Sequence, residues 1–366
     1  MEKYTQYRDR GTGIAPFIPF ATSASTFQLP VAAVLFALRA PMLMAMAASY
    51  FLVLQFMPLG AFFQKGMLWM CMLVAGVWWV DLQVEGVKRG TLSRHPNRLP
   101  SAGSIIASTF TSPLDALYLA ATFDPIFLVP SFDTRYVFQL TLLQTLLYTF
   151  APPTSKPYSS KPTTIADVVA QYPHRIIVVF PEGTTSNGRA LLRFAPALDS
   201  FATHVRSTSA LSSHSRDDDT PPPLSTRAQS PTARNVAATP IFPISLRYLP
   251  ANTTTPLPHS ATVFLWRLLG QSSHMIKVRI AEPVRVPDLP TEKAEDTLAA
   301  TSSSETITER TTVSDIPAKR VPRPGALEEK VGEALARVGR IRRVGLGVKE
   351  KIGFWNAWKS QGRRRK

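Results

Sequence analysis

The sequence predicts an α/β fold: a mostly parallel, buried sheet with flanking helices, preceded by an N-terminal membrane-embedded helical hairpin and followed by a basic amphipathic helix. Three observations lead there. Between residues 103 and 284, short apolar runs rich in β-branched side chains alternate with helix-patterned segments, the arrangement of a sheet covered on both faces. Residues 31–63 before them are almost wholly apolar. After them, residues 326–366 space apolar side chains in steps of three and four among many lysines and arginines, which makes one helical face.

Composition bounds the function. At 366 residues the chain holds one large domain or two modest ones. A net charge of +16 calls for an anionic partner, either nucleic acid or the cytosolic face of a membrane. The single cysteine, Cys71, excludes an intrachain disulfide and a cysteine-based zinc site.

The chain begins with a tail, 1–28, expected in the cytosol, and the hairpin is assigned to 29–81. Residues 41–58 carry no charge and are about long enough to cross a bilayer core. Residues 66–80, "GMLWMCMLVAGVWWV", are too short for an untilted crossing and suit an interfacial piece anchored by Trp69, Trp78 and Trp79. The alternative is two buried core helices. Lys3, Arg8, Arg10, Lys88, Arg89 and Arg94 flank the hairpin and place both flanks in the cytosol.

The α/β domain is assigned to 82–286. "VDLQVEGVKRG" reads as a polar connection, "GSIIAS" as a buried strand, and "SPLDALYLAATF" as a helix opened by Pro113. "DPIFLVPS" is a second strand and "YVFQLTLLQTLLYTF" a helix apolar nearly all round. The strands "RIIVVF", "TPIFPISLRYL" and "HMIKVRIAEPV" follow. Residues 203–236 and 287–325, rich in proline, serine, threonine and charge, cannot bury enough surface to offset chain entropy. They read as a disordered insertion and a disordered linker. The tail, 326–366, carries twelve lysines and arginines from residue 330 onward. Its glycines each cost about 1 kcal/mol of helix propensity, so the expectation is a helix that forms on an anionic membrane surface. Its regular apolar face, and the lack of any recognised nucleic-acid fold, speak against nucleic acid as the partner.

The stretch "VVFPEGTTSNGRALLRF", 178–194, carries the chemistry. A strand ending at a glycine and a row of hydroxyls leaves backbone N–H groups free to form an anion-binding nest, and ligands of open α/β sheets sit beyond the carboxyl ends of the strands. Thr184, Thr185, Ser186 and Asn187 could donate hydrogen bonds, with Arg189 and Arg193 as nearby cations. Glu182 alone would repel phosphate, so it is expected to orient backbone or to accept from a substrate hydroxyl. The alternative is a capped turn between strand and helix.

"FPEGTTSNGR" resembles the third block of the glycerophospholipid acyltransferases, which move a fatty acyl chain from acyl-CoA to a lysophospholipid or glycerol phosphate. The resemblance implies that Glu182, Gly183 and Thr184 bind the acceptor's glycerol phosphate, with Thr185, Asn187 and Arg189 beside them. "TPIFPISLRY", with Pro243, resembles the fourth block, and "VRIAEPV" the closing strand. Together these cover residues 82–202 and 237–286. Most members carry arginine where this chain has Thr185. "TTSNG", "LRAPM", "WVDLQVEGVKRG" and "TSPLDALYLA" are most similar to a fungal branch that includes an oleoyl-CoA-preferring lysophosphatidic acid acyltransferase. The resemblance implies acyl-CoA as co-substrate, no metal or prosthetic group, and lysophosphatidic acid as acceptor. It also implies an endoplasmic-reticulum or lipid-droplet membrane, with the domain facing the cytosol.

The family's first block is Asn-His, four residues, then Asp. Here it reads "TFTSPLD": Asp115 is in place, and Thr109 and Phe110 stand where asparagine and histidine belong. Phenylalanine accepts no proton, so Asp115, its pKa raised by burial, becomes the candidate base. His174 begins the strand that Glu182 follows, about 20 Å away at about 3.3 Å per residue. His95 precedes the strand leading to the first block, and His204 and His214 sit at or in the insertion. Arg135, Lys156 and Lys161 are candidates for the phosphate-binding cation of the second block, which is not recognisable. The rival reading is a pseudoenzyme that binds lysophospholipid or acyl-CoA in membrane trafficking.

Overall fold

The structure, a computed structural model, describes residues 2–20, 28–57, 60–88, 90–155, 157, 161–214, 239–258, 261–288 and 325–364. Two apolar helices come first, α1 (Gln28–Ser49), prolonged by a π-helical turn Tyr50–Leu54, and α2 (Ala61–Val74). The domain then runs β1 (Val77–Val84), β2 (Ile105–Ser108), α3 (Pro113–Phe123), β3 (Ile126–Pro130), β4 (Val137–Leu140) and α4 (Leu142–Tyr148). It continues through β5 (Pro162–Thr163), α5 (Ile165–Gln171), β6 (Ile177–Val179), β7 (Ala190–Leu191), α6 (Ala197–His214), β8 (Ile241–Leu249), α7 (Ala261–Leu269) and β9 (His274–Ile280). The tail forms α8 (Ala326–Gly339), β10 (Arg342–Arg343) and α9 (Val348–Arg364).

Among the described residues, eight strands form one sheet in the order β1-β9-β8-β2-β6-β3-β4-β5. The centre, β8-β2-β6-β3, is parallel. On one side β4 and β5 add antiparallel. On the other, β9 runs antiparallel to β8 and β1 runs parallel to β9. The parallel expectation therefore holds for the centre and fails at the edges. Alternation along the strands divides the core: Ile106 and Val178 face α1–α4 and α7, while Ile105, Ala107, Ile177 and Val179 face α5, α6 and α8.

Three sequence expectations change. "GMLWMCMLVAGVWWV" is two elements, because the chain turns at Gly76 (φ +89°) and "VWWVDLQV" becomes edge strand β1. The first five residues of the expected polar connection are thus strand, and the sheet starts inside the segment assigned to the hairpin. Aromatic and β-branched residues suit a strand better than a further helical turn. An irregularity in the β1–β9 register between Val77 and Trp79 lets Trp78 and Trp79 both face outward, each more than 60% exposed. "YVFQLTLLQTLLYTF" likewise divides into β4 and α4, because Thr141 caps the helix through a capping box with Gln144. The tail is two helices. Leu327, Val331 and Leu335 of its expected membrane face are buried against the sheet, and Val344 and Phe354 pack with Phe17.

The helix α6 extends from Ala197 to His214, past the residue 203 assigned as the start of a disordered insertion; residues 215–236 and most of the linker lie outside the described residues. The continuous stretch Leu29–Leu54 is long and apolar enough to cross a membrane by length and composition, whereas Ala61–Val74 is shorter. Helix α1 is also fastened to the domain. Arg39 donates to the carbonyls of Leu269, Gln271 and Ser272 beyond α7, where unpaired carbonyls attract a cation. Arg39→Ala is expected to destabilise the full chain in detergent by about 2 kcal/mol, read from denaturant melts.

Candidate active site

The carboxyl ends of β2, β6 and β8 bring the chemistry together. After β2 the chain reaches Ser112, which caps α3 while Asp115 returns the capping box; Pro113 starts the helix. Asp115 is fully buried. Its Oδ2 accepts from the Thr111 and Ser112 backbone N–H groups at 2.6 and 2.9 Å and from the Thr111 hydroxyl at 3.1 Å. Its Oδ1 accepts from the phenol of Tyr248 on β8 at 2.5 Å. Burial raises the Asp115 pKa to about 6 even though all of these hydrogen bonds favour the anion.

After β6 the loop turns at Gly183, whose φ of +63° and approach to Pro130 leave little room for a side chain. Glu182 is buried beside Asp115 and accepts from the Leu192 N–H at 3.4 Å. Burial is the main cause that lifts its pKa to about 8; hydrogen bonds from the Leu192 and Phe110 backbones oppose this, and the Asp115 charge adds to it. A carboxyl with that pKa is largely protonated at neutral pH. It does not repel phosphate as an ionised glutamate would.

The loop is not open. The Ser186 N–H donates to Phe110 O, the Asn187 N–H to Pro16 O, and the Asn187 amide to Ala15 O and Ile18 O. The Thr185 hydroxyl donates to Thr255 O at 2.6 Å. Thr184 and Thr185 also receive the amine of Lys351, at 2.9 Å to each hydroxyl and 2.6 Å to Thr185 O. The Thr185 hydroxyl, the Asn187 amide and the backbone N–H groups of Ser186 and Asn187 are therefore spent inside the protein. The covering comes from residues 14–18 and from α9, which share a small core of Phe17, Leu192, Leu257 and Phe354. A gap of about 10 Å³ remains between Thr109, Thr111, Glu182, Ser186 and Ser245. The buried Ser245 hydroxyl there has no hydrogen-bond partner among the described residues.

Arg189 is exposed and lies over the Phe20 ring at 4.4 Å. Arg135 and Lys161 are exposed, and Lys161 lines a cleft of about 670 Å³ with Asp124 and Arg175 at the amino ends of β3 and β6. Neither joins Asp115 and Glu182, and Lys156 lies outside the described residues. Sequence reasoning missed Tyr248 and Lys351. Tyr248 lay within a recognised strand, but nothing local marked its partner. Lys351 was one basic residue among many in the tail.

No protein-family model matches the chain. The "Putative lysophosphatidic acid:oleoyl-CoA acyltransferase" of Schizosaccharomyces pombe is 27% identical over 369 residues, spanning 98% of this chain and 98% of its own. "Lysophosphatidic acid:oleoyl-CoA acyltransferase 1" of Saccharomyces cerevisiae is 28% identical over 198 residues, 53% of this chain and 61% of its own. Both likenesses support placing the chain with the glycerophospholipid acyltransferases. Among solved structures, the 1-acyl-sn-glycerophosphate acyltransferase PlsC of Thermotoga maritima overlaps 75% of this chain and 92% of its own. Its TM-score of 0.34 and identity of 12% are too distant to transfer any residue.

Phe110, which the sequence reading set at the position of a histidine, belongs to the core. Its ring stacks on Phe180 at 4.2 Å and lies parallel to Tyr148 at 6.3 Å. His174 is exposed just before β6, at the end of that strand opposite Glu182. His95 and His204 are exposed as well. His274 is buried where β9 begins, but its Nε2 is tied to Leu268 O at 2.7 Å and its neighbours are Gly76 and Arg39.

The acyltransferase's two buried carboxyls make stability pH-dependent. Both pKa values rise on folding, so the native state holds protons that the unfolded chain has lost. Their contribution is complete below about pH 4 and is lost as pH rises through about 6 for Asp115 and about 8 for Glu182. Lys351, lowered to about 7 by burial, has the opposite sign: its contribution is present at high pH and is lost as pH falls through about 7. Glu182→Gln is expected to change the melting temperature little at pH 5 and to raise it above wild type at pH 9, read by thermal melts across that range.

Proposed function

We propose that this chain transfers an acyl group from acyl-CoA to a lysophospholipid, with lysophosphatidic acid as acceptor and phosphatidic acid as product. The observation that carries the reading is the pairing of Asp115 and Glu182, buried together beyond the carboxyl ends of parallel strands. The printed names of both relatives support the same acceptor and donor class. The acceptor hydroxyl attacks the thioester carbon, the carbon–sulfur bond breaks, and the hydroxyl proton passes to Asp115 and then to the departing thiolate. Asp115 is mostly ionised at neutral pH and can receive that proton once an acceptor hydroxyl displaces one of its present donors. Protonated Glu182 can donate to a phosphate oxygen. An acyl-CoA thioester is already activated, so positioning the two substrates supplies much of the rate.

The acceptor enters when the covering segments move away from the loop. Entry from a membrane fits the apolar residues on the outer surface of the first two helices and β1, including Leu38, Phe62 and Trp79 at 71, 82 and 64% exposure. The proposed location is the endoplasmic-reticulum or lipid-droplet membrane, with the domain in the cytosol and the product used in glycerolipid and triacylglycerol synthesis. The outer charges of the tail add attraction to anionic lipid.

A second reading is favoured by one observation: Phe110 lies in an aromatic stack and both oxygens of Asp115 already accept hydrogen bonds from the protein. In that reading the chain binds lysophospholipid or acyl-CoA without transferring the acyl group. Labelled oleoyl-CoA, offered with a panel of lysophospholipids to the purified full chain, separates the two. Acylation of lysophosphatidic acid is the expected result. Binding without turnover for every acceptor would establish the second reading instead.

A further inference from the structure

We propose that Lys351, delivered by the C-terminal helix α9, is the cation that holds the acceptor's phosphate in the site after β6; this rests on the acyl-transfer reading above. Lys351 is 2% exposed and its amine enters the loop that carries Glu182. All three of its hydrogen-bond partners are neutral oxygens of Thr184 and Thr185. Among the described residues, no carboxylate is in ion-pair contact with it. A cation taken out of water without a paired anion is costly, and the same group becomes favourable once an anion arrives. Burial holds the amine near neutrality, with a pKa of about 7, and the nearby Glu182 charge acts to raise it. An incoming phosphate, carrying more charge than a protonated glutamate, would restore the ammonium in full.

The position is informative. The Lys351 amine lies 2.6 Å from the Thr185 carbonyl and 2.9 Å from its hydroxyl. A cation from 166 positions later in the chain thus sits within the loop that carries Glu182. The other basic candidates point elsewhere: Arg189 lies over Phe20, and Arg135 and Lys161 are exposed away from Glu182. On this basis α9 is part of the acceptor site as well as a cover for it, and acceptors with a phosphomonoester headgroup are selected over uncharged ones.

The test uses the full chain with oleoyl-CoA and two acceptors, lysophosphatidic acid and monooleoylglycerol, measuring KM, kcat and the dissociation constant for each. Lys351→Gln keeps a hydrogen-bond donor and removes the charge. It is expected to raise the KM and dissociation constant for lysophosphatidic acid about tenfold or more beyond any change for monooleoylglycerol. Lys351→Arg is expected to restore lysophosphatidic acid binding to within about threefold of wild type. A folded Lys351→Gln chain that affects both acceptors alike overturns the proposal and leaves the acyl-transfer reading intact. A wild-type chain that transfers to no acceptor, yet loses lysophosphatidic acid binding on Lys351→Gln, overturns acyl transfer and leaves the proposal standing. A wild-type chain that neither transfers to nor binds lysophosphatidic acid overturns both. If Lys351→Gln does not fold, amine labelling of the wild-type chain read by mass spectrometry replaces it. Lysophosphatidic acid should reduce labelling of Lys351 and monooleoylglycerol should not; labelling that answers both lipids alike, or neither, overturns the proposal.

Discussion

Asp115→Ala is expected to reduce acyl transfer to lysophosphatidic acid by about 10² to 10⁴, the usual cost of losing a general base. It should also destabilise the chain by about 3–5 kcal/mol, because several donors lose their acceptor inside the protein. The backbone N–H groups of Thr111 and Ser112 and the hydroxyls of Thr111 and Tyr248 all converge on this one carboxylate, and the cap of α3 goes with it. Asp115→Asn separates the two effects. It keeps the shape and one acceptor oxygen, so the stability loss shrinks while the loss of rate persists. The wild-type rate should rise with pH through about 6, where the carboxyl ionises. Tyr248→Phe removes a hydrogen bond that lowers the Asp115 pKa, so this rising limb should move to higher pH. Equal transfer rates in wild type and Asp115→Ala would dispose of Asp115 as a catalytic group.

Phe110→His is expected to lower stability by about 1–3 kcal/mol, because it places a polar ring in an aromatic stack. It should change the transfer rate by less than about tenfold, well short of the usual contribution of a general base. The Phe110 ring lies 4.2 Å from the Phe180 ring, which in turn lies parallel to Phe127 at 6.1 Å. An imidazole there would meet apolar rings. Denaturant melts and transfer assays on the same preparation check both parts. A gain of about 10² or more would show that the imidazole reaches both Asp115 and the acceptor, and that the site has room for a histidine base.

Much of the site could be read from local order. The run "RIIVVF" is strand-forming and stops at a proline, so Glu182 and Gly183 had to follow a strand end. "SPLD" is a capping box, so Asp115 had to lie in the first turn of a helix. The covering of the loop could not be read in this way. Thr184, Thr185 and Asn187 look like outward donors because nothing within ten residues competes for them. Their partners come from the two ends of the chain: Ala15 and Ile18 for Asn187, Lys351 for the threonines.

The tail and the second apolar run show the same division. Steps of three and four marked one helix where the structure has two, α8 and α9, and that pattern is identical whether the apolar face meets lipid or protein. The hydrophobic effect is non-directional, so Leu327, Val331 and Leu335 could pack on the sheet as readily as on a membrane. The VWWV segment joined the sheet through backbone pairing with β9, a strand about two hundred residues later; backbone hydrogen bonding is open to any residue but proline and leaves no mark on the side-chain pattern. By itself, then, the sequence determined where strands end, which carboxylates stand at those ends and which family the chain resembles, because each depends on residues close in the chain. The tertiary structure alone decided which faces are buried, that Tyr248 meets Asp115 and that Lys351 enters the loop, because each is a contact between residues far apart in the chain.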